Sequence, residues 1–254
     1  MKILLTNDDG IDAQGIKYLQ RSLLTIAEVF TVAPERERSA AGHGITMHKP
    51  LRVNKVLLEN ESYGYSVSGT PADCVKLALD KLLDHKPDFV VSGINNGFNL
   101  GTDIIYSGTV SAAIEAIING VPAIAVSVEE GALSEDLVFV AETVKKLILQ
   151  INEIELDNNA LINVNVPCVS KGPVKGLEIT SQGLRLYENS VEVRKDPRGK
   201  DYYWLGGQPI ALEAKLGTDV AALEHRSISL TPLGFDLTNY ELINYLKSKH
   251  LKPF

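Results

Sequence analysis

Along the first two-thirds of the chain, short apolar runs alternate with stretches whose apolar residues recur at helical spacing. This alternation predicts a parallel α/β sheet. Lys2–Thr6 reads as the first strand. Residues 13–27 place Ile16, Leu19, Leu23, Leu24 and Ala27 on one stripe and predict a helix. Residues 29–33 predict a second strand, stopped by Pro34. Residues 88–91 form a nearly continuous apolar run after Pro87, as expected for a strand covered on both faces, and residues 123–128 form another. Residues 137–151 predict a long amphipathic helix. Thr70-Pro71-Ala72-Asp73 combines an N-cap, a first-turn proline and an acid, and predicts a helix running to about Leu83. Asn119-Gly120 stops a helix over residues 109–118.

After about residue 165 the pattern changes. Residues 176–180, 191–195, 202–205 and 227–230 read as strands separated by Gly, Pro and Asn turns. Asp196-Pro197-Arg198-Gly199 lies between two extended runs, so residues 191–205 predict a long hairpin. The expected architecture is one Rossmann-like α/β domain over residues 1–254, an open and mostly parallel sheet with helices on both faces. Its core covers about residues 1–165. A β-rich part with a hairpin arm and a closing helix near residues 240–249 covers about residues 170–254.

Composition narrows the function. A net charge of −7 argues against binding a nucleic-acid polymer by bulk electrostatics, and leaves room for a small phosphate held by a metal or by backbone amides. The two cysteines, Cys74 and Cys168, lack CxxC spacing, which argues against a zinc site and a disulfide framework. Cys74 falls on the apolar face of a predicted helix, the place for a small buried hydrophobe. No signal-peptide core fits ahead of Asn7-Asp8-Asp9, and no run of about 18 apolar residues exists for a membrane span. The expectation is a cytoplasmic protein with no membrane partner.

The candidate chemistry begins at Thr6-Asn7-Asp8-Asp9-Gly10, directly after the first strand. A regular strand would splay Asp8 and Asp9 to opposite faces. Gly10 permits a sharp turn that brings both carboxylates to one rim. At ~4 Å they would repel by on the order of 4 kcal/mol at an effective dielectric of ~20. A hard divalent cation would offset that repulsion. The alternative is that one acid caps the next helix, which accounts for one carboxylate and not two.

Three more segments reach the same rim, because ligand sites of open parallel sheets form beyond the carboxyl ends of the strands. Residues 33–44 (APERERSAAGHG) follow the second strand; Arg36 and Arg38 could contact phosphate or form a solvated cluster with Glu35 and Glu37. Residues 92–101 (SGINNGFNLG) read as a polar loop with Asn oxygens suited to a hard cation, or simply as a loop. Ser107-Gly108-Thr109 opens a helix whose free N–H groups and hydroxyls form a phosphate cradle, or an ordinary cap. No Walker A sequence occurs.

These stretches resemble the SurE family of survival-protein nucleotidases, metal-dependent phosphohydrolases acting on nucleoside monophosphates. The resemblance is carried by residues 3–10 (ILLTNDDG), 32–44 (VAPERERSAAGHG), 69–75 (GTPADCV), 91–99 (VSGINNGFN) and 107–113 (SGTVSAA). Residues 163–167 (NVNVP), 202–204 (YYW) and 229–233 (SLTPL) extend it over nearly the whole length. It implies one divalent metal ion per subunit, magnesium or manganese, on Asp8, Asp9, Ser39 and Asn95. It implies a phosphate-side loop at Ser107, Gly108 and Thr109, with Asn96 and His43 as further substrate contacts. It also implies a hairpin arm at residues 191–205, swapped between subunits to make a dimer or tetramer. His225-Arg226 departs from the family pattern, which has a Gly–aromatic pair there.

The implied reaction is 5′-nucleotidase hydrolysis of a phosphomonoester to nucleoside and phosphate, with 3′-nucleotides and polyphosphate open as further substrates. The metal acts as Lewis acid and template, and water attacks in line, with Asp8 or Asp9 orienting or deprotonating it. His43 is a candidate acid for the leaving alkoxide or an incidental loop residue. A phosphoaspartyl route at Asp8 lacks its DxDxT pattern, and a phospho-receiver domain lacks an Asp ending the residue 88–91 strand. A non-catalytic nucleotide- or phosphate-binding regulator is the alternative reading.

Overall fold

A computed structural model describes residues 1–59, 62–154, 156–189, 191–210 and 214–249. The chain opens with β1 (Lys2–Thr6), α1 (Gln14–Leu23) and β2 (Glu28–Pro34). It continues through β3 (Val53–Leu57), β4 (Tyr63–Val67), α2 (Pro71–Leu77), β5 (Phe89–Asn96), α3 (Gly108–Ile118), β6 (Ala123–Val128), α4 (Ser134–Asn152) and β7 (Leu161–Val166). Then come β8 (Leu177–Ile179), β9 (Tyr187–Glu188), β10 (Val191–Lys195), β11 (Asp201–Leu205), β12 (Gln208–Pro209), α5 (Asp219–Glu224), β13 (Ile228–Leu233) and α6 (Tyr240–Ser248).

The main sheet has nine strands in the order β3-β4-β2-β1-β5-β6-β7-β13-β8. From β4 to β7 all neighbours run parallel. β3 and β13 join antiparallel. Side chains alternate faces along each strand, and the two cores follow that rule. Ile3, Leu5, Val91, Ile124 and Val126 pack under α1 and α4 against Ile16, Leu19, Val140 and Ile148. Leu4, Val90, Ala123 and Ala125 face the opposite way and pack under α2 and α3 against Cys74, Val75, Val110 and Ala113. Full burial of each large side chain contributes about 1.5–3 kcal/mol. Cys74 is fully buried.

Several expectations are revised. The helix that Thr70 opens ends near the predicted residue, but its second half, Ala78–Leu82, is a π turn. The strand expected at residues 88–91 runs on to Asn96, so Asn95 and Asn96 belong to the sheet rather than to a loop. A register shift between Ser92 and Asn95 carries it past the apolar run. Two of the four late strands return to the main sheet instead of standing apart: β13, whose Ile228 and Leu230 are buried there, and β8, which pairs along its edge. The predicted hairpin is β10–β11, a separate two-stranded sheet paired from Val191–Leu205 to Lys195–Asp201, with every residue of both strands exposed. The closing helix, α6, closes over nothing: none of its residues is buried.

Candidate active site

In the sheet order, the chain leaves β1 toward β2 and β4 on one side and takes up β5, β6 and β7 on the other. The carboxyl ends of β1 and β5 therefore flank the topological switch point, where loops diverge and open sheets bind ligands. Asp8 and Asp9 follow β1, and Asn95 and Asn96 end β5.

The turn after β1 is built by Asn7, a fully buried residue that sequence reasoning passed over. Its Nδ2 donates to the Gly10 carbonyl at 2.8 Å, and its Oδ1 accepts from the Gly10 amide at 3.2 Å. Gly10 adopts φ +102°, open to glycine and strained for other residues. The Asp8 carbonyl accepts the Arg38 amide at 2.8 Å, which ties the second loop to the first.

Asp8 is buried against the start of α3. The Thr109 hydroxyl donates to Oδ1 at 2.5 Å and the Thr109 amide donates to Oδ2 at 3.1 Å. Gly108 makes this approach possible, since a Cβ there would lie 2.8 Å from Asp8 Cβ. The helix start expected to cradle phosphate is thus already occupied by a carboxylate of the protein itself, a match of negative charge to helix N-terminus. Ser107 is the N-cap and accepts the Val110 amide at 3.1 Å.

A cavity of about 740 Å³ opens over this point, lined by Asp8, Asp9, Ser39, Asn95, Asn96 and Ser107 among others. Gly108, Thr109 and His43 are not among its lining residues. His43 Nε2 instead lies 3.0 Å from the buried Glu115 carboxylate. Ser39 donates to Glu37 at 2.6 Å, which adds a third carboxylate to the lining. Asn95 Nδ2 donates to the Gly97 carbonyl at 2.7 Å, leaving Oδ1 as its oxygen ligand. Asn96 Oδ1 accepts from the Gly131 amide at 3.1 Å and so ties β5 to the loop before α4. Arg38 pairs with Glu35 at 3.9 Å and donates to the Ser68 carbonyl, and neither Arg36 nor Arg38 lines the cavity, so the charge-cluster alternative describes Arg38 better.

Burial pushes the Asp8 carboxyl above its ordinary range against the opposing bonds from Thr109, and the Glu37 charge adds to the rise. Asp9 is pushed up to about 6 by burial first, then by the charges of Asp8 and Glu37, with the Asn96 amide pulling the other way. Asp8, Asp9 and Glu37, with no ion-pair partner among the described residues, make a cation-seeking site. Among the described residues no cluster of three or more His, Cys, Asp or Glu side chains is set to hold a metal. The residues expected to hold the metal, Asp8, Asp9, Ser39 and Asn95, all face the cavity, with the Glu37 carboxylate beside them. All-oxygen donors without sulfur or imidazole fit a hard divalent cation.

Asn99, Asp103, Tyr106 and Tyr187 also line the cavity and were not singled out by sequence. Asn99 is buried and bonded to Ser127, Asn163 and Asn165, so the NVNVP stretch was its available signal.

Fold and site together define a Rossmann-like α/β protein with an acidic, oxygen-lined centre at the sheet's switch point. The family description "Survival protein SurE" matches residues 3–189, and the chain belongs to the SurE family. It is 52% identical over 252 residues to the 5′-nucleotidase SurE of Carboxydothermus hydrogenoformans, covering 98% of this chain and 96% of that protein. It is 54% identical to the 5′-nucleotidase SurE of Moorella thermoacetica, covering 97% and 96%. The crystal structure of the SurE protein from Aquifex aeolicus superposes with a TM-score of 0.83 at 37% identity, covering 99% of this chain and 100% of that one.

Proposed function

We propose that this chain is a metal-dependent 5′-nucleotidase that hydrolyses nucleoside monophosphates to nucleoside and phosphate. The observation that carries the reading is the 740 Å³ cavity with Asp8, Asp9, Ser39 and Asn95 together on its wall. Its volume lies in the range of about 300–1,000 Å³ typical of small-molecule sites. Near full-length relatives at 52% and 54% identity carry the name 5′-nucleotidase.

One divalent cation, magnesium or manganese, would be held by those four residues and would supply Lewis-acid charge to a phosphoryl oxygen. Asp8, fixed by Thr109, is the anchored ligand. Asp9 is the less buried of the two and the one placed to orient the attacking water or take its proton. Ser107 accepts the Val110 amide through its oxygen, which leaves its hydroxyl proton free to donate to a phosphate oxygen. Water adds to phosphorus as the ester P–O bond breaks, and the leaving alkoxide takes up a proton.

The same reading makes the molecule one functional unit, with a core of about residues 1–165 and a tail of about residues 170–254. The exposed Val193, Tyr203, Trp204 and Leu205 of the hairpin, with Leu242, Ile243 and Leu246 of α6, suit an arm that exchanges between subunits in a dimer or tetramer. Among the described residues no helix is long and apolar enough to cross a membrane. A cytoplasmic protein that binds neither membrane nor nucleic-acid polymer fits that and the negative charge.

The test is a phosphate-release panel of nucleoside 5′- and 3′-monophosphates, an aryl phosphate and polyphosphate, each with several divalent metals. The proposal expects 5′-monophosphates to be hydrolysed in a metal-dependent way. Tight nucleotide binding without release under any metal would favour the regulator reading instead.

A further inference from the structure

The cavity has a second end, away from the acid pair, and its construction is specific. The 3₁₀ turn Gly101–Tyr106 supplies Asp103 and Tyr106, and the segment that ends in β9 supplies Tyr187, the first residue of that strand. The two segments are fastened to each other. The buried Asp219 carboxylate accepts the amides of Gly101 and Gly183, each at 2.8 Å. Gln182 Nε2 donates to the Gly101 carbonyl at 2.8 Å, and the Thr102 hydroxyl donates to the Arg185 carbonyl. Asp103 Oδ2 accepts from Arg185 Nη1 at 2.9 Å and from the Tyr187 hydroxyl at 2.5 Å.

The result is a tyrosine ring fixed at its hydroxyl end. Tyr187 lines both the acid-pair cavity and a neighbouring cavity of about 700 Å³. The Arg185 guanidinium sits 5.6 Å from the ring centroid and lines the second cavity but not the first. Tyr187 thus borders both spaces, as Asp103 does, while Arg185 borders only the second. Burial and the bond to Asp103 push the Tyr187 phenol up to about 12. Tyr187 is 40% exposed, so part of the ring is accessible to a ligand in the cavity it lines.

We propose that Tyr187 is the stacking platform for the nucleobase of a nucleoside monophosphate, with Asp103 and Arg185 as its positioning residues. The proposal rests on the nucleotidase reading, which puts the phosphate at the acid pair and so sends the base along the same cavity. Because every base presents a π-face, a stacking platform favours nucleotides over base-less phosphomonoesters without demanding one base.

The test compares kcat/KM for a nucleoside 5′-monophosphate with kcat/KM for ribose 5-phosphate, which has no base. In Tyr187→Leu the ratio of the two should fall roughly 5- to 150-fold, mainly through KM for the nucleotide. Tyr187→Phe, which keeps the ring and loses only the bond to Asp103, should restore most of the ratio. Tyr187→Trp should raise it. A ratio unchanged in both the Leu and the Trp variants would overturn the platform. Wild-type protein that releases phosphate from neither substrate would overturn the nucleotidase reading, and the platform with it.

Discussion

Thr109 gives both of its donors to Asp8, the hydroxyl at 2.5 Å and the backbone amide at 3.1 Å. A residue expected to hold substrate phosphate is thus spent on orienting an acid of the centre. Thr109→Val keeps the shape and the amide and removes the hydroxyl. Metal affinity should fall about 10- to 100-fold, the usual cost of losing a group that orients a ligand. Thr109→Ser should recover most of it. Titration of manganese binding measures both, and unchanged affinity in Thr109→Val would show the hydroxyl to be dispensable.

Gly108→Ala places a methyl 2.8 Å from Asp8 Cβ and 2.9 Å from Oδ2, where neither the strand end nor the helix start can retreat freely. Overpacking of this kind costs about 1–3 kcal/mol. Thermal unfolding should show the loss, and phosphate release should drop with it because Asp8 is the displaced group.

Asp9 makes the metal-free protein sensitive to pH. Its folded value of about 6 lies above the unfolded value, so the folded state holds the extra proton between those limits. Stability should decline as pH rises from about 4 through 6, and the penalty persists above 6. Asp9→Asn removes that penalty. At pH 7 the metal-free variant should be more stable than wild type by on the order of 1–2 kcal/mol after allowance for solvent screening, and equal to it near pH 3. Chemical denaturation in the presence of a chelator at both pH values checks the sign.

His43 and Glu115 separate a tether from an acid catalyst. Burial opposes the Glu115 charge, but bonds from His43 and Asn119 and the charge of Lys76 outweigh it and hold its carboxyl below the usual range. This contribution is present above the unfolded carboxylate value of about 4.3 and is lost as pH falls through the lower folded one. His43→Ala should cost about 1–3 kcal/mol by leaving a buried carboxylate underbonded, with kcat changed less than about tenfold. A fall of about 10²–10⁴ in kcat with unchanged stability would make His43 the general acid instead.

The arm is tested by size. Replacing Val193 and Trp204 with serine alters exposed positions of a hairpin that pairs with no other strand among the described residues. Light scattering should report a monomer, whereas an unchanged oligomer would show that the arm does not hold subunits together.

The parallel core was legible because β1, the first half of β5 and β6 are buried on both faces and read as nearly continuous apolar runs. β7 was missed as a strand because Asn163 and Asn165 interrupt its run; they are buried and bonded to Asn99, a compensation visible only in three dimensions. β3 and β4 were missed because β3 is an edge strand with exposed Asn54 and Lys55, and β4 contains Gly64. Asp8 and Asp9 were legible as paired acids after the first strand, Ser39 and Asn95 as ligands only through the family resemblance, and all four line one cavity. Tyr187 was not, because its relevance comes from the crossing of two segments over 80 residues apart in sequence.

The central claim is that the acid pair at the β1–β5 switch point is a metal-dependent phosphomonoesterase centre. Its most direct test is release of inorganic phosphate from a nucleoside 5′-monophosphate by chelator-treated protein, before and after adding back magnesium or manganese, with Asp8→Asn alongside. The account predicts no release without metal, release on its return, and none from Asp8→Asn under either condition. Metal-independent hydrolysis, or full activity in Asp8→Asn, would contradict it.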